Sequence, residues 1–140
     1  MANNPQFTNA VAQALATAFG VAVDAGSAAL IRIYSGTQPT TADDSITGTL
    51  LAELTCEATA GAVSDGTPGG LYTFDTITGE SSAPATGTAT HFVIITQDAG
   101  TVVMMGSVGT SDADLVFNTV AFTELSAVDI TALTVTFPEG

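Results

Sequence analysis

Hydrophobic residues near the start of the chain recur at the spacing of an α-helix. They follow the positions i, i+4, i+7, i+8 and i+11, which together form one stripe along a helix. The residues of this stripe are Val11, Leu15, Ala18, Phe19 and Ala22. Thr8 is a suitable N-cap, and Gly20 is placed to end the helix in the left-handed conformation. A helix of about a dozen residues is marginal alone in water, so we expect it to pack on its own sheet or on a neighbouring subunit.

From Ala28 onward the apolar residues alternate with polar ones, and glycine, proline and aspartate mark turns between short runs. This pattern is typical of antiparallel strands in a sandwich or barrel. Strands are predicted over residues 29–34, 50–56, 71–77, 90–96, 101–108, 115–117, 120–122 and 130–137. The sequence therefore predicts a mainly β protein, an antiparallel β-sandwich or barrel-like domain with a short N-terminal α-helix.

One predicted hairpin is apolar on both faces. Its first strand directs His91, Val93 and Ile95 to one side, with Phe92 and Ile94 on the other, and the returning strand repeats this arrangement. An antiparallel strand with water on one side should alternate. We expect the hairpin to be covered on both faces, by a second sheet, by the N-terminal helix or by another protein chain.

The length of 140 residues corresponds to one ordinary domain. We divide it into an N-terminal arm and helix over residues 1–27 and an antiparallel β domain over residues 28–140. Residues 11–30 are apolar enough to raise the question of a signal peptide. No basic residue precedes them, and Gly20 and Asp24 interrupt them, so we interpret them as mature sequence.

The charge balance is strongly acidic and limits the partners. Arg32 is the sole Lys or Arg against 14 acidic residues, which gives a formal net charge of -13. Binding to nucleic acid or to an anionic membrane requires several cations, so neither is expected as a partner. Like-charged copies repel each other, so self-assembly must depend on apolar burial or on screening by salt.

Residues that could carry chemistry are few. His91 is the only histidine and Cys56 the only cysteine, so no disulfide within the chain exists. His91 has no companions suited to catalysis on its strand, and we interpret it as structural. Met104 and Met105 are interpreted as core filling, and Cys56 as an inert buried thiol unless folding brings it to His91.

The acidic residues offer weak candidates for a cation site. Asp43 with Asp44, and Asp112 with Asp114, could bind calcium, but they lack the spacing of a calcium loop, so solvated loop charge is the simpler reading. The chain has enough carboxylates for a glycoside-cleaving pair, but a sugar-binding cleft usually also has tryptophan or tyrosine side chains on which the sugar stacks. The chain has no Trp, and its only tyrosines are Tyr34 and Tyr72. We therefore predict no enzymatic activity, no cofactor and no metal.

Two segments resemble a family of small structural proteins of tailed bacteriophages. Residues 31–55 contain a strand that ends in Tyr34, a glycine- and threonine-rich loop and "GTLLA". Residues 87–118 contain "GTATHF", the hairpin "DAGTVV" and "VGT" followed by the acidic "ADL". The resemblance spans about residues 28–137, and the N-terminal residues 1–25 lie outside it as a candidate docking arm.

The resemblance implies a structural virion protein of antiparallel β structure. It most directly implies a capsid decoration (cement) protein on the outer surface of the head, with the major capsid protein as partner. A trimer is our first expectation for self-association and a dimer the second. The alternatives are a tail or connector subunit and a glycan- or receptor-binding module, for which Tyr34 and Tyr72 would have to line an exposed groove.

The candidate contact surface combines the predicted helix stripe with the two-faced hairpin. Exposed apolar residues that form a patch are typical of an interface between subunits. The candidate contact residues are Val11, Leu15, Phe19, Phe92, Ile94, Val103 and Met105.

Overall fold

The computed structural model describes residues 5–66, 69–98 and 100–137. Within these residues the chain forms one helix, α1 (Asn9–Val23), followed by ten short strands. The strands are β1 (Leu30–Tyr34), β2 (Leu50–Thr55), β3 (Gly61–Gly66), β4 (Gly69–Phe74), β5 (Gly87–Thr88), β6 (His91–Ile95), β7 (Val102–Gly109), β8 (Leu115–Val116), β9 (Ala121–Phe122) and β10 (Thr134–Phe137).

The strands form two main sheets. The large sheet has the order β2-β1-β6-β7-β8, and the small sheet has the order β10-β4-β3. All pairs in the two sheets are antiparallel except β7 with β8. A separate antiparallel pair joins β5 and β9. The predicted fold class, a mainly β antiparallel sandwich or barrel-like domain with an N-terminal helix, is confirmed.

The structure differs from the predicted strands in several places. The last strand begins at Thr134 and not at residue 130, β4 spans Gly69–Phe74 and not residues 71–77, and the two-residue strand β5 was not predicted. Strand β3 was not predicted, because its sequence "GAVSDG" contains one large apolar residue, Val63. It forms through pairing with β4 along its whole length, so its partner decides its structure and its own propensity does not. Residues 64–66 and 69–70 pair at the end of this hairpin, and residues 67 and 68 lie outside the described residues.

Helix α1 begins as predicted but ends and packs differently. Thr8 is the N-cap as predicted, and its Oγ1 accepts a hydrogen bond from Val11 N at 3.3 Å. The helix continues through Gly20 to Val23, so the predicted end at Gly20 is wrong. Gly20 lies against the ring of Tyr72: a Cβ atom there would be 2.7 Å from Tyr72 Cε2. The glycine therefore serves close packing and not chain reversal.

The stripe of α1 that faces the protein is also different from the predicted one. The buried positions are Ala12, Ala16, Gly20 and Val23, a row of mostly small residues that lets the helix approach β4 closely. At Gly70 of β4 a Cβ atom would lie 2.5 Å from Ala12 O. Phe19 is half-buried, with its ring centroid 5.2 Å from that of Tyr72 and 5.6 Å from that of Phe137. Helix α1, which lies in the segment predicted as an N-terminal arm and helix, thus shares the core of the β domain.

Both faces of the β6–β7 hairpin are covered, as expected, and the covers belong to the chain itself. Phe92 and Ile94 join the main core, which the large sheet forms with the small sheet and α1. Val93 and Ile95 join a second cluster with Leu30 and Tyr34 on the other face of the large sheet. The partly buried side chains packed against this second cluster are Ile46, Leu50, Val102 and Met105.

Candidate interaction surface

The outward face of α1 is the most apolar exposed surface that an element of this protein presents. Val11 and Leu15 are 44% and 43% exposed, Val21 is 70% exposed, and Phe7 just before the helix is 50% exposed. The 15 residues of the helix include no charged side chain. A surface helix normally carries polar residues on its outer face, whereas a helix that is apolar all round is normally buried on every side. This face therefore has the character of an interface.

Two of the predicted contact residues lie on this outer face and one does not. Val11 and Leu15 point to solvent, whereas Phe19 packs inward on the aromatic residues of the small sheet. The sequence prediction grouped the three on one stripe because all are large and apolar. The helix instead turns its small residues inward, so the two larger aliphatic residues remain outside.

The hairpin residues are not available as the contact surface that was predicted. Phe92 and Ile94 have 0% exposure, and they belong to the protein's own core, so this part of the prediction is wrong. Val103 and Met105 are partly buried. Val103 packs against the main core, and Met105 packs against the second cluster, around Leu30 and Tyr34. A strand that is apolar on both faces needs cover on both, but this pattern does not show which chain supplies the cover.

His91 is buried beside Tyr34 of the second cluster. Its ring stacks on Tyr34 with centroids 5.6 Å apart and planes 16° apart. Thr90 Oγ1 lies 2.9 Å from Nδ1 and 2.7 Å from Gly36 O. Because the hydroxyl has one proton and donates it to Gly36 O, we assign the Nδ1 proton to the imidazole, which donates to Thr90. Nε2 has no hydrogen-bond partner among the described residues. A structural histidine is the role these contacts support.

We expect His91 to make the stability of the fold dependent on pH. Burial lowers the pKa of His91 below its usual value of 6.5, so below pH 6.5 the unfolded chain binds a proton that the folded chain does not. Stability should therefore fall as pH decreases from 7 toward the folded pKa, by up to about 1.4 kcal/mol per pH unit. Thermal unfolding followed by circular dichroism at pH 7.5 and 5.5 measures this.

The matched control for this pH dependence is His91→Gln, which keeps a polar side chain but does not titrate. The two proteins share every other ionisable group, so the difference between their two pH profiles isolates the histidine. We expect the variant to lose less stability between pH 7.5 and 5.5. Equal losses in the two proteins would show that His91 is not buried in its neutral form.

Cys56 is buried and remote from His91. Burial, together with the nearby carboxylate of Asp24, raises the pKa of its thiol to about 11, so the thiol stays protonated at neutral pH. Cys56 N donates to Ala29 O beside the start of β1, whereas His91 pairs with Tyr34 at the end of β1. Four residues of strand separate these ends by about 13 Å. The structure does not bring the two into a dyad.

The acidic pairs act within their own loops. Asp44 Oδ2 accepts from Thr41 N at 3.0 Å, and Asp114 Oδ2 accepts from Ser107 N at 2.8 Å and from Ser107 Oγ at 3.0 Å. Within the described ranges, no three His, Cys, Asp or Glu side chains gather as a metal site would require. One member of each pair, Asp44 and Asp114, thus has a local structural role as a hydrogen-bond acceptor for the backbone.

The tyrosines do not form a sugar-binding platform. Tyr34 is 9% exposed and Tyr72 is 2% exposed, and a platform for stacking on a sugar ring needs an exposed aromatic face. Tyr34 is stacked on His91, and Tyr72 lies beneath α1. These positions weigh against a glycan-binding module based on the two residues.

The only Lys or Arg side chain of the sequence forms an ion pair within the protein. Arg32 Nε donates to Glu53 Oε2 at 2.8 Å, across neighbouring strands of the large sheet. Both side chains are about one third exposed. The rest of the acidic surface therefore has no lysine or arginine of its own to neutralise it.

Sequence reasoning missed the outward position of Val21 and the exposed loop residue Leu125. Leu125 has a positive φ of 70° and is 75% exposed, and its N–H donates to Ala83 O at 2.8 Å. A leucine in this conformation is uncommon, and no pattern in the sequence signals it. Val21 could have been recognised, because the lack of charge from residue 9 to 23 already shows that the helix has no solvent-adapted face.

The structure defines a class of protein: a small, acidic antiparallel β-sandwich with a helix packed on its smaller sheet and exposed apolar residues on that helix. No family model, no curated protein and no solved structure matches the chain. In the described part of the chain, no helix has the length and apolar character needed to cross a bilayer.

Proposed function

We propose that this chain is a structural virion protein of a tailed bacteriophage, specifically a capsid decoration protein that binds the outer surface of the head shell. The motifs of residues 31–55 and 87–118 support the virion assignment by their resemblance to phage structural proteins. The observation that carries the docking role is the uncharged outer face of α1, where Val11, Leu15 and Val21 are exposed. It is an interaction surface on a domain without a catalytic cluster among its described residues.

A decoration protein acts by mass action. A subunit that binds the assembled shell and not its dissociated parts stabilises the shell in proportion to its affinity and concentration. The protein needs an apolar docking face and a soluble remainder for this role. The exposed helix residues are suited to the first requirement, and the net charge of -13 to the second.

The proposed partners are the major capsid protein and further copies of the chain around a capsid symmetry axis. Copies that carry the same strong charge repel each other, so their contacts should lie where charge is absent. A trimer at a local three-fold axis satisfies this arrangement if the uncharged helix faces meet the shell or each other.

Binding to purified heads tests the proposal. Leu15→Asp places a charge on the outer helix face at a residue that belongs to neither core cluster. We expect the variant to fold normally and to bind heads that lack the native protein at least about tenfold more weakly. Co-sedimentation over a range of protein concentrations measures the affinity, and thermal release of DNA from the heads measures the stabilisation.

The matched control is Leu125→Asp, which makes the same substitution at an exposed leucine outside the helix. It should bind heads like the natural chain. Loss of binding by the control but not by Leu15→Asp would place the docking surface elsewhere. Failure of the natural chain to bind heads would contradict the decoration role, and tens of copies that follow the tail in purified particles would assign it to the tail.

A further inference from the structure

A recess lies between the last turn of α1 and strand β3. It has a volume of about 510 Å³ and opens to solvent. Gly20, Val21 and Asp24 line it from the helix, and Val63 and Tyr72 line it from the small sheet. The recess is separate from the exposed face around Val11 and Leu15, although Val21 borders both.

The floor of the recess contains a polar atom without a partner. Tyr72 is 2% exposed, and its hydroxyl makes no hydrogen bond of good geometry with any described residue, although the backbone of Gly61 lies near enough to lower the pKa of the hydroxyl slightly. The lack of a side chain at Gly20 lets the tyrosine ring pack against the helix, because a Cβ there would lie 2.7 Å from Cε2. A buried hydroxyl without a partner costs stability, so its position at the base of an open recess indicates that a ligand supplies the missing contact.

The wall of the recess has an uncompensated negative charge. Asp24 is the C-cap of α1, and no basic residue lies in the last turn of the helix. Asp24 Oδ1 accepts from Ala60 N at 2.8 Å, and among the described residues nothing donates to Oδ2. The C-terminal end of a helix adds a partial negative charge to that of the carboxylate. Both features favour a cation at this point.

The protonation state of the Tyr72 hydroxyl also favours a cationic ligand. Burial, followed by the charges of Asp24, Cys56 and Asp75, raises the pKa of Tyr72 to about 12. The hydroxyl therefore stays neutral at physiological pH and keeps lone pairs that can accept a hydrogen bond from an ammonium or guanidinium group. Val21 and Val63 provide the apolar sides that an alkyl chain would need.

We propose that this recess binds a lysine or arginine side chain of a partner protein, with the cationic group between Asp24 and the Tyr72 hydroxyl and the alkyl stem along Val21 and Val63. A second copy of the chain does not supply this side chain. The sequence contains no lysine, and its one arginine is paired with Glu53 on the large sheet. The partner is therefore a different protein with a basic residue at the centre of its contact surface.

A titration with capped tripeptides tests the recess directly. The middle residue is lysine, arginine or norleucine, the last of which keeps the alkyl stem without the charge. We expect the lysine and arginine peptides to shift the NMR amide signals of Gly20, Gly61 and Val63 saturably. We expect the norleucine peptide to bind at least about tenfold more weakly.

Two variants of the full chain assign the contacts. Asp24→Asn keeps the acceptor for Ala60 N but removes the charge. It should lower the affinity for the lysine peptide about tenfold. Tyr72→Phe should weaken binding several-fold while it keeps or raises the melting temperature, because it removes an unsatisfied buried hydroxyl. The control Asp43→Asn changes the net charge equally in a loop at the far end of β1 and should leave binding unchanged.

Three results would overturn the inference. Equal binding of the norleucine peptide would show an apolar groove without cation selectivity. Equal weakening by Asp43→Asn would show a bulk charge effect. Absence of any shift at these amides would show that the recess binds no such side chain. The capsid role is tested with heads and the recess with peptides, so one can fail while the other stands.

Discussion

A chain shortened to begin at Val21 is expected to lose its cooperative fold. The deletion removes the helix that covers the inner face of the small sheet, and it exposes the aromatic side chains of Tyr72, Phe74 and Phe137 that now pack around Phe19. Exposure of three such side chains costs about 5–9 kcal/mol at roughly 1.5–3 kcal/mol each, which is comparable with the whole stability of an ordinary domain. The loss of cooperative thermal unfolding and of dispersed amide signals measures the effect.

A chain that begins at Pro5 is the control for this truncation. It keeps every helix and sheet contact described above, so it should unfold cooperatively at nearly the temperature of the full chain. If the chain beginning at Val21 also unfolded cooperatively at a similar temperature, the helix would be a detachable arm and not a part of the core. That outcome would return α1 to the docking role expected for residues 1–25.

Replacement of Phe92 by alanine is expected to lower the free energy of unfolding by about 3–5 kcal/mol. Phe92 is the second residue of β6 and has 0% exposure. Its ring covers Gly106 on the neighbouring strand, where a Cβ atom would be 2.6 Å from Phe92 Cε1. The glycine leaves no side chain that could move into the space, so the cavity should remain largely open. Urea unfolding followed by circular dichroism measures the difference.

Phe7→Ala is the matched comparison for Phe92→Ala, because the same side chain is removed from a position that is 50% exposed. It should change stability by less than about 0.5 kcal/mol. A similar small effect at Phe92 would mean that this residue belongs to a surface and not to the core. In that case the original assignment of Phe92 to a contact surface would be restored.

The sequence by itself determined the elements and much of the chemistry. Period-two alternation placed most strands, and Thr8 was correctly identified as the N-cap. The apolar character of both sides of the β6–β7 hairpin predicted that both sides are covered. The near absence of cations and the presence of a single histidine and a single cysteine were also visible in the sequence, because composition does not depend on how the chain folds.

Which surface lies inside depends on how the elements pack together. The apolar residues on both faces of β6 show that Phe92 needs cover, but the same pattern arises whether the cover is the small sheet or another protein. In α1 the periodicity could not give the inward direction, because alanine and valine residues are spread around most of the helix and no charged residue marks an outer face. Shape decided it: Ala12, Ala16 and Gly20 fit closely against Gly70 and Tyr72 of β4, so Val11, Leu15 and Val21 were left outside. The recess at Asp24 and Tyr72 likewise exists only where the helix end meets the small sheet, since these residues lie far apart along the chain.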